Sequence, residues 1–189
     1  MTGISPLNPP YAPDVQAQLE AMMPPGVPPI LLFRTFVRNM PMARAMHEWG
    51  SYELGRQLSL TMRDREIVIN RTCARCRCEY EWGVHVMLFA QRVALTAQQI
   101  ASLTVGGPAD DCWSSARDRL LVRATDQLHD TATIDDQLCA ELEAELGEAG
   151  LLDLLLLCGW YHAISFAANG ARTPREPGAP AFADVVTCE

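Results

Sequence analysis

The sequence lacks the features that mark nucleic-acid-binding and exported proteins. Its 189 residues contain 15 Lys and Arg against 23 Asp and Glu, which gives a formal net charge of −8. No basic block interrupts this balance, so nucleic acid and anionic membrane surfaces are poor candidate partners. Residues 1–15 have neither a basic n-region nor an apolar h-region, and the sequence therefore predicts no secretory signal.

Alternating strand patterns and internal repeats are also missing, and the apolar residues recur at helical spacing instead. The sequence thus predicts an all-α protein. Its seven cysteines are an odd number in a chain that is not small, so a disulfide scaffold is disfavoured. We therefore expect mostly reduced thiols and a cytoplasmic protein.

Proline is concentrated in residues 1–30, which hold eight of the 13 prolines. The composition predicts a Pro-rich N-terminal arm at 1–29, a helical domain at 30–172 and a C-terminal loop tail at 173–189. The arm is expected to lie over the domain or over a neighbouring subunit. Helices are predicted at 12–23, 41–57, 61–73, 79–93, 96–103, 110–130, 134–150 and 151–171, with Thr61 and Thr96 as the N-caps of the helices that they begin.

The last of these helices contains the most apolar run of the chain, Leu151–Leu157. Asp153, His162 and Asn169 interrupt the surrounding stretch, which argues against a membrane span. We expect this run in the core or in a subunit interface. His162 and the earlier His47 lie on apolar helices and are interpreted as core histidines.

One short segment, CARCRCEYEWGVH, carries most of the candidate chemistry. On a helix beginning at Glu79, the side chains of Cys78, Glu81 and His85 fall within about 60° of one another. They stand at the edge of the apolar stripe that contains Trp82. The position of Cys78 near the helix start favours its thiolate form.

The neighbouring residues leave several interpretations open. Cys73 and Cys76 are either small core residues or redox partners of Cys78. A zinc site built from these three cysteines and His85 ranks last, because a continuous helix does not aim them at one point.

Two arginines border the segment. Arg71 and Arg75 would suit a substrate carboxylate, or they are solvated, with Arg75 paired to Glu79.

The spacing of Glu66, Cys78, Glu81 and His85 resembles the carboxymuconolactone decarboxylase and alkylhydroperoxidase D superfamily. The likeness is close over residues 65–103. It implies an all-α, alkylhydroperoxidase D-like fold in which the helix of Glu66 packs against the helix of His85. It also implies a homo-oligomer, from dimer to hexamer.

The resemblance further implies that these four residues are catalytic and line one pocket, without metal or cofactor. Arg71, Arg75 and Trp82 are then the candidate substrate-binding residues. The sequence departs from the hydroperoxidase branch at Glu81, where that branch has the second cysteine of a redox pair.

Three functions remain open at this point. The first is a decarboxylase-like enzyme in which His85, Glu66 and Glu81 carry out acid–base chemistry on a small carboxylated or carbonyl substrate. The second is a thiol peroxidase with Cys78 as the peroxidatic cysteine and Cys73 or Cys76 as its partner. The third is a non-catalytic oligomeric binding protein, since fold does not imply function. Glu81 favours the first.

Overall fold

A computed structural model describes residues 3–186, apart from the side chain of Val186, so Cys188 lies outside the described residues. Within 3–186 the chain forms nine helices and no strand, which confirms the all-α prediction. The helices are α1 (Pro13–Ala21), α2 (Leu31–Phe36), α3 (Met40–Glu53), α4 (Met62–Arg75), α5 (Glu79–Phe89), α6 (Ala97–Val105), α7 (Ala116–Thr131), α8 (Asp136–Ala171) and α9 (Phe182–Val186).

The central helix is α4, which packs against α5, α6, α7 and α8. Every residue from 64 to 73 is buried, although several of them are charged or polar. Thr61 caps the helix as predicted: its Oγ1 accepts a hydrogen bond from the Asp64 N–H, and the Asp64 carboxylate accepts one from the Thr61 N–H. The predicted packing of the Glu66 helix against the His85 helix is present.

Several helices are shorter than predicted: α1 ends at Ala21 and α3 at Glu53, and local contacts explain the bounds of two others. α5 ends at Phe89 because the chain turns at Ala94, which has a left-handed φ of 53°, and the Leu95 N–H donates to the Ala90 carbonyl. α7 begins at Ala116, where the Ser115 hydroxyl accepts a hydrogen bond from the Asp118 N–H. The segment before that cap is a loop.

α8 spans 36 residues as two helical segments that meet at Gly147, so the predicted pair of helices is present, with the break at Gly147 whereas the sequence placed it after Gly150. The kink lies at Gly147, whose φ of 71° is a conformation that glycine adopts without steric cost. Among the described helices, α8 alone is long and apolar enough to span a membrane by length and composition. It instead packs against α4, α5 and α7, and its buried Asp153 accepts hydrogen bonds from Tyr52 and Ser59. This is the packing of a core helix.

The N-terminal arm lies over its own domain. The Ile4 N–H donates to the Ala171 carbonyl at the end of α8, and the Leu7 N–H donates to the Arg34 carbonyl of α2. Leu19 of α1 is 1 % exposed. The arm therefore forms one wall of the domain.

The C-terminal tail contains the short helix α9, where the sequence predicted only loop. Asp184 explains the difference, because its carboxylate accepts a hydrogen bond from the Ala181 N–H at the helix start. The Phe182 ring packs against Trp82 of α5, with ring centroids 5.0 Å apart. The Glu176 carboxylate of the tail accepts hydrogen bonds from the Tyr80 hydroxyl and the Leu31 N–H. The tail thus joins α5 to α2.

Candidate active site

Glu66 and His85 form a buried pair at the contact between α4 and α5. The Glu66 side chain is fully buried, and His85 is 3 % exposed. His85 Nδ1 lies 2.7 Å from Glu66 Oε2, and the other carboxylate oxygen accepts a hydrogen bond from the Arg65 Nε–H. The structure brings together two residues that the sequence placed nineteen positions apart.

The second ring nitrogen of His85 faces α8 and the side chain of Glu81. Nε2 lies 3.0 Å from the Tyr161 hydroxyl oxygen and 3.6 Å from Glu81 Oε1. Sequence reasoning missed Tyr161, because it is 76 residues from His85 and stands in an apolar helix. Its position beside His162, a residue singled out for other reasons, was the one available signal.

At neutral pH the His85 ring is a cation. Burial by itself lowers the pKa of His85, but the charge and hydrogen bond of Glu66, with a further contribution from Glu81, outweigh it and raise that pKa to about 9. Protonated His85 donates its Nδ1–H to Glu66 and its Nε2–H to Tyr161. Burial raises the pKa of Tyr161 well above its usual value, so the phenol keeps its proton. Glu66, His85 and Tyr161 thus form a continuous hydrogen-bonded chain, which we call the proton relay.

A cavity of about 330 Å³ lies at the end of this relay, and we call it the main cavity. Its floor includes Glu81 of α5 and Tyr161 of α8, whereas Glu66, Cys78 and His85 lie behind that floor. The other walls come mainly from the segment of α1 to α3 and from α8: Ala21, Met22, Met23, Pro24, Leu32, Phe33, Phe36, Met46, His47, Gly50, Ser51, Leu54, Trp160 and Ile164. His47 therefore faces the cavity, where the sequence predicted a core position.

The two carboxylate oxygens of Glu81 differ in their contacts. Oε1 faces His85 Nε2, while Oε2 is buried and has no hydrogen-bond partner among the described residues. A buried carboxylate oxygen without a partner is costly, so such atoms are commonly found where a ligand or a reacting group binds. Glu81 therefore places a carboxylate without a full set of partners at the floor of the main cavity.

Cys78 is fully buried at the start of α5, and its thiol does not line the main cavity. Burial raises the pKa of Cys78 to about 11, and the nearby Glu81 carboxylate acts in the same direction. The expected stabilisation of a thiolate by the helix start is therefore outweighed. Cys73 is also fully buried, and burial raises its pKa well above the usual value. Both residues are protonated thiols at neutral pH.

The cysteines and His85 do not converge in the way that the last-ranked zinc site requires. Both nitrogens of His85 are engaged, one by Glu66 and the other by Tyr161. Cys76 is half-buried at the end of α4 and lies near His129 and His162 instead. Every cysteine of the described residues is a free thiol.

Arg71 and Arg75 face α7 and do not line the main cavity. Arg71 is buried and donates two hydrogen bonds to Asp126, of 2.6 and 2.9 Å, and others to backbone carbonyls. Arg75 donates to Asp130, where the sequence suggested a pairing with Glu79. Two paired arginines hold α4 against α7, and the structure places neither near the candidate substrate position.

Trp82 is fully buried between α5 and the C-terminal tail, and it too is outside the walls of the main cavity. Its indole nitrogen has no hydrogen-bond partner among the described residues. The contact with Phe182 makes Trp82 the anchor of the tail.

The sequence matches no protein-family model and no curated protein. Several solved structures are similar to this chain, and two of them cover nearly all of it. An uncharacterized peroxidase-related protein from Silicibacter sp. TM1040 has a TM-score of 0.78 at 14% identity, covering 95% of this chain and 96% of its own. The apo form of the debrominase Bmp8 has a TM-score of 0.73 at 13% identity, covering 97% of both chains. The protein therefore has the carboxymuconolactone decarboxylase and alkylhydroperoxidase D-like fold that the spacing of Glu66, Cys78, Glu81 and His85 implied.

Proposed function

We propose that the protein is a decarboxylase-like enzyme that carries out acid–base chemistry on a small carboxylated or carbonyl substrate in the main cavity. The observation that supports this proposal is the proton relay Glu66–His85–Tyr161, which ends beside Glu81 at the cavity floor. A volume of about 330 Å³ is near the lower end for ligand sites and suits a small molecule. The reaction uses no cofactor, because the substrate carbonyl itself accepts the electron pair.

The first task of the site is to stabilise negative charge on a substrate oxygen. The His85 Nε2–H donates to Tyr161, which leaves the phenol proton free to be donated into the cavity. When the carbon–carboxylate bond breaks, CO₂ leaves and the electron pair moves onto the carbonyl oxygen. Tyr161 and the positive charge of His85 behind it stabilise the resulting enolate. The Glu66 carboxylate keeps the His85 ring protonated.

The second task is to return a proton to the substrate carbon. The protonated His85 delivers this proton through the Tyr161 hydroxyl at the cavity floor: Tyr161 gives its proton to the carbon and takes the Nε2 proton of His85, which collapses the enolate to the carbonyl product. After the product leaves, a proton taken up from solvent through the cavity and Tyr161 restores the His85 cation, which the Glu81 carboxylate, 3.6 Å from Nε2, stabilises. One proton is consumed for each CO₂ released.

Thiol-dependent peroxide reduction is the second candidate. The sulfurs of Cys73, Cys76 and Cys78 all lie beside the Ser165 hydroxyl, and this grouping of three thiols favours it. Cys78 would be oxidised to a sulfenic acid while the hydroperoxide is reduced to an alcohol. Condensation with Cys73 or Cys76 would then release water and form a disulfide. Burial and the raised pKa of Cys78 disfavour the first of these steps.

The variant Cys78→Ser separates the two candidates. We expect CO₂ release to stay within a few-fold of the wild type, because serine keeps the size and a hydrogen bond. Peroxide reduction would be lost outright, because serine cannot form a sulfenic acid. Both activities are measured on the purified protein, with a panel of small oxo acids and carboxylactones and with hydroperoxides plus a dithiol.

The contrasting variant is Tyr161→Phe, which removes one hydroxyl from the cavity floor. Under the acid–base proposal it lowers CO₂ release by about 10²–10³-fold, as for loss of an oxyanion donor. The opposite pattern, in which Cys78→Ser is inactive and Tyr161→Phe is active, would establish the thiol mechanism. Substrate binding without turnover in all three proteins would establish the binding-protein hypothesis.

We also propose that the protein is a cytoplasmic homo-oligomer, from dimer to hexamer, and that copies meet through the outer face of α8. Leu152, Leu156 and Phe166 are 60 %, 48 % and 68 % exposed on that helix. Exposed apolar side chains in such a row are typical of protein interfaces. Light scattering at micromolar concentration is expected to give at least twice the chain mass of 20.9 kDa. A monomer would refute this prediction.

The charged variant Leu156→Glu provides the control for that measurement. It is expected to lower the apparent mass, whereas Val105→Glu, at a side chain 66 % exposed on α6, is expected to leave it unchanged.

A further inference from the structure

A second group of reactive side chains lies apart from the acid–base site. Cys76 stands at the end of α4, His129 in the last turn of α7 and His162 in the middle of α8. All three are half-buried, and one ligand atom from each lies within 4.8 Å of the others. The proposed mechanism uses none of them. We propose that Cys76, His129 and His162 bind one Zn²⁺ ion, with a water molecule in the fourth position.

The hydrogen bonds of His162 prepare it as a ligand. Its Nδ1–H donates to the Cys158 carbonyl at 2.8 Å, so the lone pair is on Nε2. That lone pair faces His129 Nδ1 at 2.9 Å. A ring N–H bonded to a backbone carbonyl is the usual outer partner of a metal-binding histidine, since it fixes both the tautomer and the ring orientation.

The spacing of the two histidine nitrogens is close to what zinc requires. With Zn–N and Zn–S bonds of about 2.0 and 2.3 Å, tetrahedral geometry places two nitrogens roughly 3.3 Å apart and nitrogen and sulfur roughly 3.5 Å apart. His129 and His162 need to separate by a few tenths of an ångström to admit the ion. The Asn169 side chain donates to the Cys76 carbonyl at 3.0 Å and holds the third ligand against α8.

The donor types also favour a borderline-soft metal. Two imidazoles and one thiolate match the preferences of Zn²⁺ and exclude Mg²⁺ and Ca²⁺, which take oxygen ligands. On binding, zinc displaces the thiol proton of Cys76 into solvent, and the Nδ1 proton of His129 moves to its Nε2, because a metal-binding neutral imidazole keeps one ring proton.

A second cavity, of about 330 Å³, gives the ion access and leaves room for its water ligand. His129, Cys158, Gly159 and His162 are among its lining residues. Since Cys158 Sγ lies 3.8 Å from His162 Nδ1, it is on the side of the ring that faces away from the metal. Zinc bound here would tie together the ends of α4 and α7 and the middle of α8. It would also prevent Cys76 from forming a disulfide with Cys78.

Cobalt titration of the reduced full-length protein tests this proposal, because Co²⁺ replaces zinc and absorbs in the near ultraviolet when bound to thiolate. We expect one equivalent of Co²⁺ per chain, with a thiolate-to-cobalt band that disappears when Zn²⁺ is added. Cys76→Ser is expected to lose the band, and His162→Gln to weaken binding by at least about 100-fold. Cys139→Ser, which removes a half-buried thiol outside the cluster, is expected to behave as the wild type.

A wild-type protein that gives no thiolate band, or a Cys76→Ser variant that keeps it, would overturn the assignment. A second measurement needs no variant and so is independent of misfolding. Alkylation of the wild type with and without Zn²⁺, followed by mass spectrometry, is expected to show protection of Cys76. Equal labelling of Cys76 in both samples would equally exclude the site.

Discussion

Replacing His85 with alanine is expected to lower kcat for CO₂ release by about 10²–10⁴-fold, the range for loss of a positioned acid–base group. His85 links Glu66 to Tyr161 through contacts of 2.7 and 3.0 Å, so its removal breaks the proton relay at its centre. It also removes the positive charge behind the Tyr161 hydroxyl. The same variant abolishes activity under the thiol mechanism, because that route needs proton transfer too.

The control for this variant is Phe89→Leu. The Phe89 ring packs beside His85, with centroids 5.3 Å apart, but carries no proton. We expect its kcat to fall by no more than a few-fold, with circular dichroism confirming that both variants are folded. If His85→Ala retained full turnover of an authentic substrate, the assignment of the active site would be wrong.

Replacing Glu66 with glutamine is expected to lower the free energy of unfolding by about 3–5 kcal/mol near pH 6, the usual cost of removing one partner of a buried ion pair. The substitution changes little in shape but leaves Arg65 and the protonated His85 buried without their shared counter-ion. Urea denaturation of the wild type and the variant measures the difference.

The difference is also expected to depend on pH, with a defined sign. The pKa of His85 is about 9 in the folded protein and 6.5 when unperturbed. Protonation of His85 therefore stabilises the wild type fully below pH 6.5, and this contribution is lost as the pH rises through 9. The rise in pKa corresponds to roughly 3 kcal/mol. In Glu66→Gln the lowering effect of burial is no longer opposed by Glu66, so most of this contribution disappears.

The difference in free energy of unfolding between the wild type and Glu66→Gln should thus be largest near pH 6 and become smaller toward pH 9. Buried thiols such as Cys78 ionise in the unfolded state of both proteins, and their effect cancels in the comparison. Glu145→Gln is the matched control, since it breaks an exposed pair with Arg117 and should cost less than about 1 kcal/mol. If the wild type and Glu66→Gln differ in free energy of unfolding by less than about 1 kcal/mol, or by an amount that does not change with pH, the ion pair of His85 with Glu66 is contradicted.

Most of the fold was predictable, because helix starts and helical periodicity are local properties. Thr61 and Thr96 cap α4 and α6 where the sequence placed them. The errors lie where tertiary contacts decide the outcome. The helix α9 is the example, because Phe182 anchors it on Trp82, which is distant in sequence.

Only part of the candidate site was predictable, namely the residues that share one helix and those that match the spacing of the family. Helical geometry placed Glu81 and His85 on one face, and the spacing of the family added Glu66. Tyr161 comes from a helix whose sequence shows only apolar character, so no local pattern links it to His85.

The partners of the arginines were hidden for the same physical reason. Asp126 and Asp130, which bind Arg71 and Arg75, stand on α7, 55 residues further along the chain. Nothing in the spacing of the candidate segment distinguishes an arginine held by such a partner from one that is free to bind a substrate.

Two different parts of the chain supply the reacting groups and the walls of the main cavity. α4, α5 and α8 supply the reacting groups, whereas the segment from Ala21 to Leu54 supplies most of the other walls. Mutations in that segment can reshape the space around a bound molecule while leaving Glu66, His85 and Tyr161 in place. Substitutions in the segment from Ala21 to Leu54 can therefore change which substrate fits the cavity without altering the groups that react. A scaffold arranged in this way can evolve new substrate specificity easily.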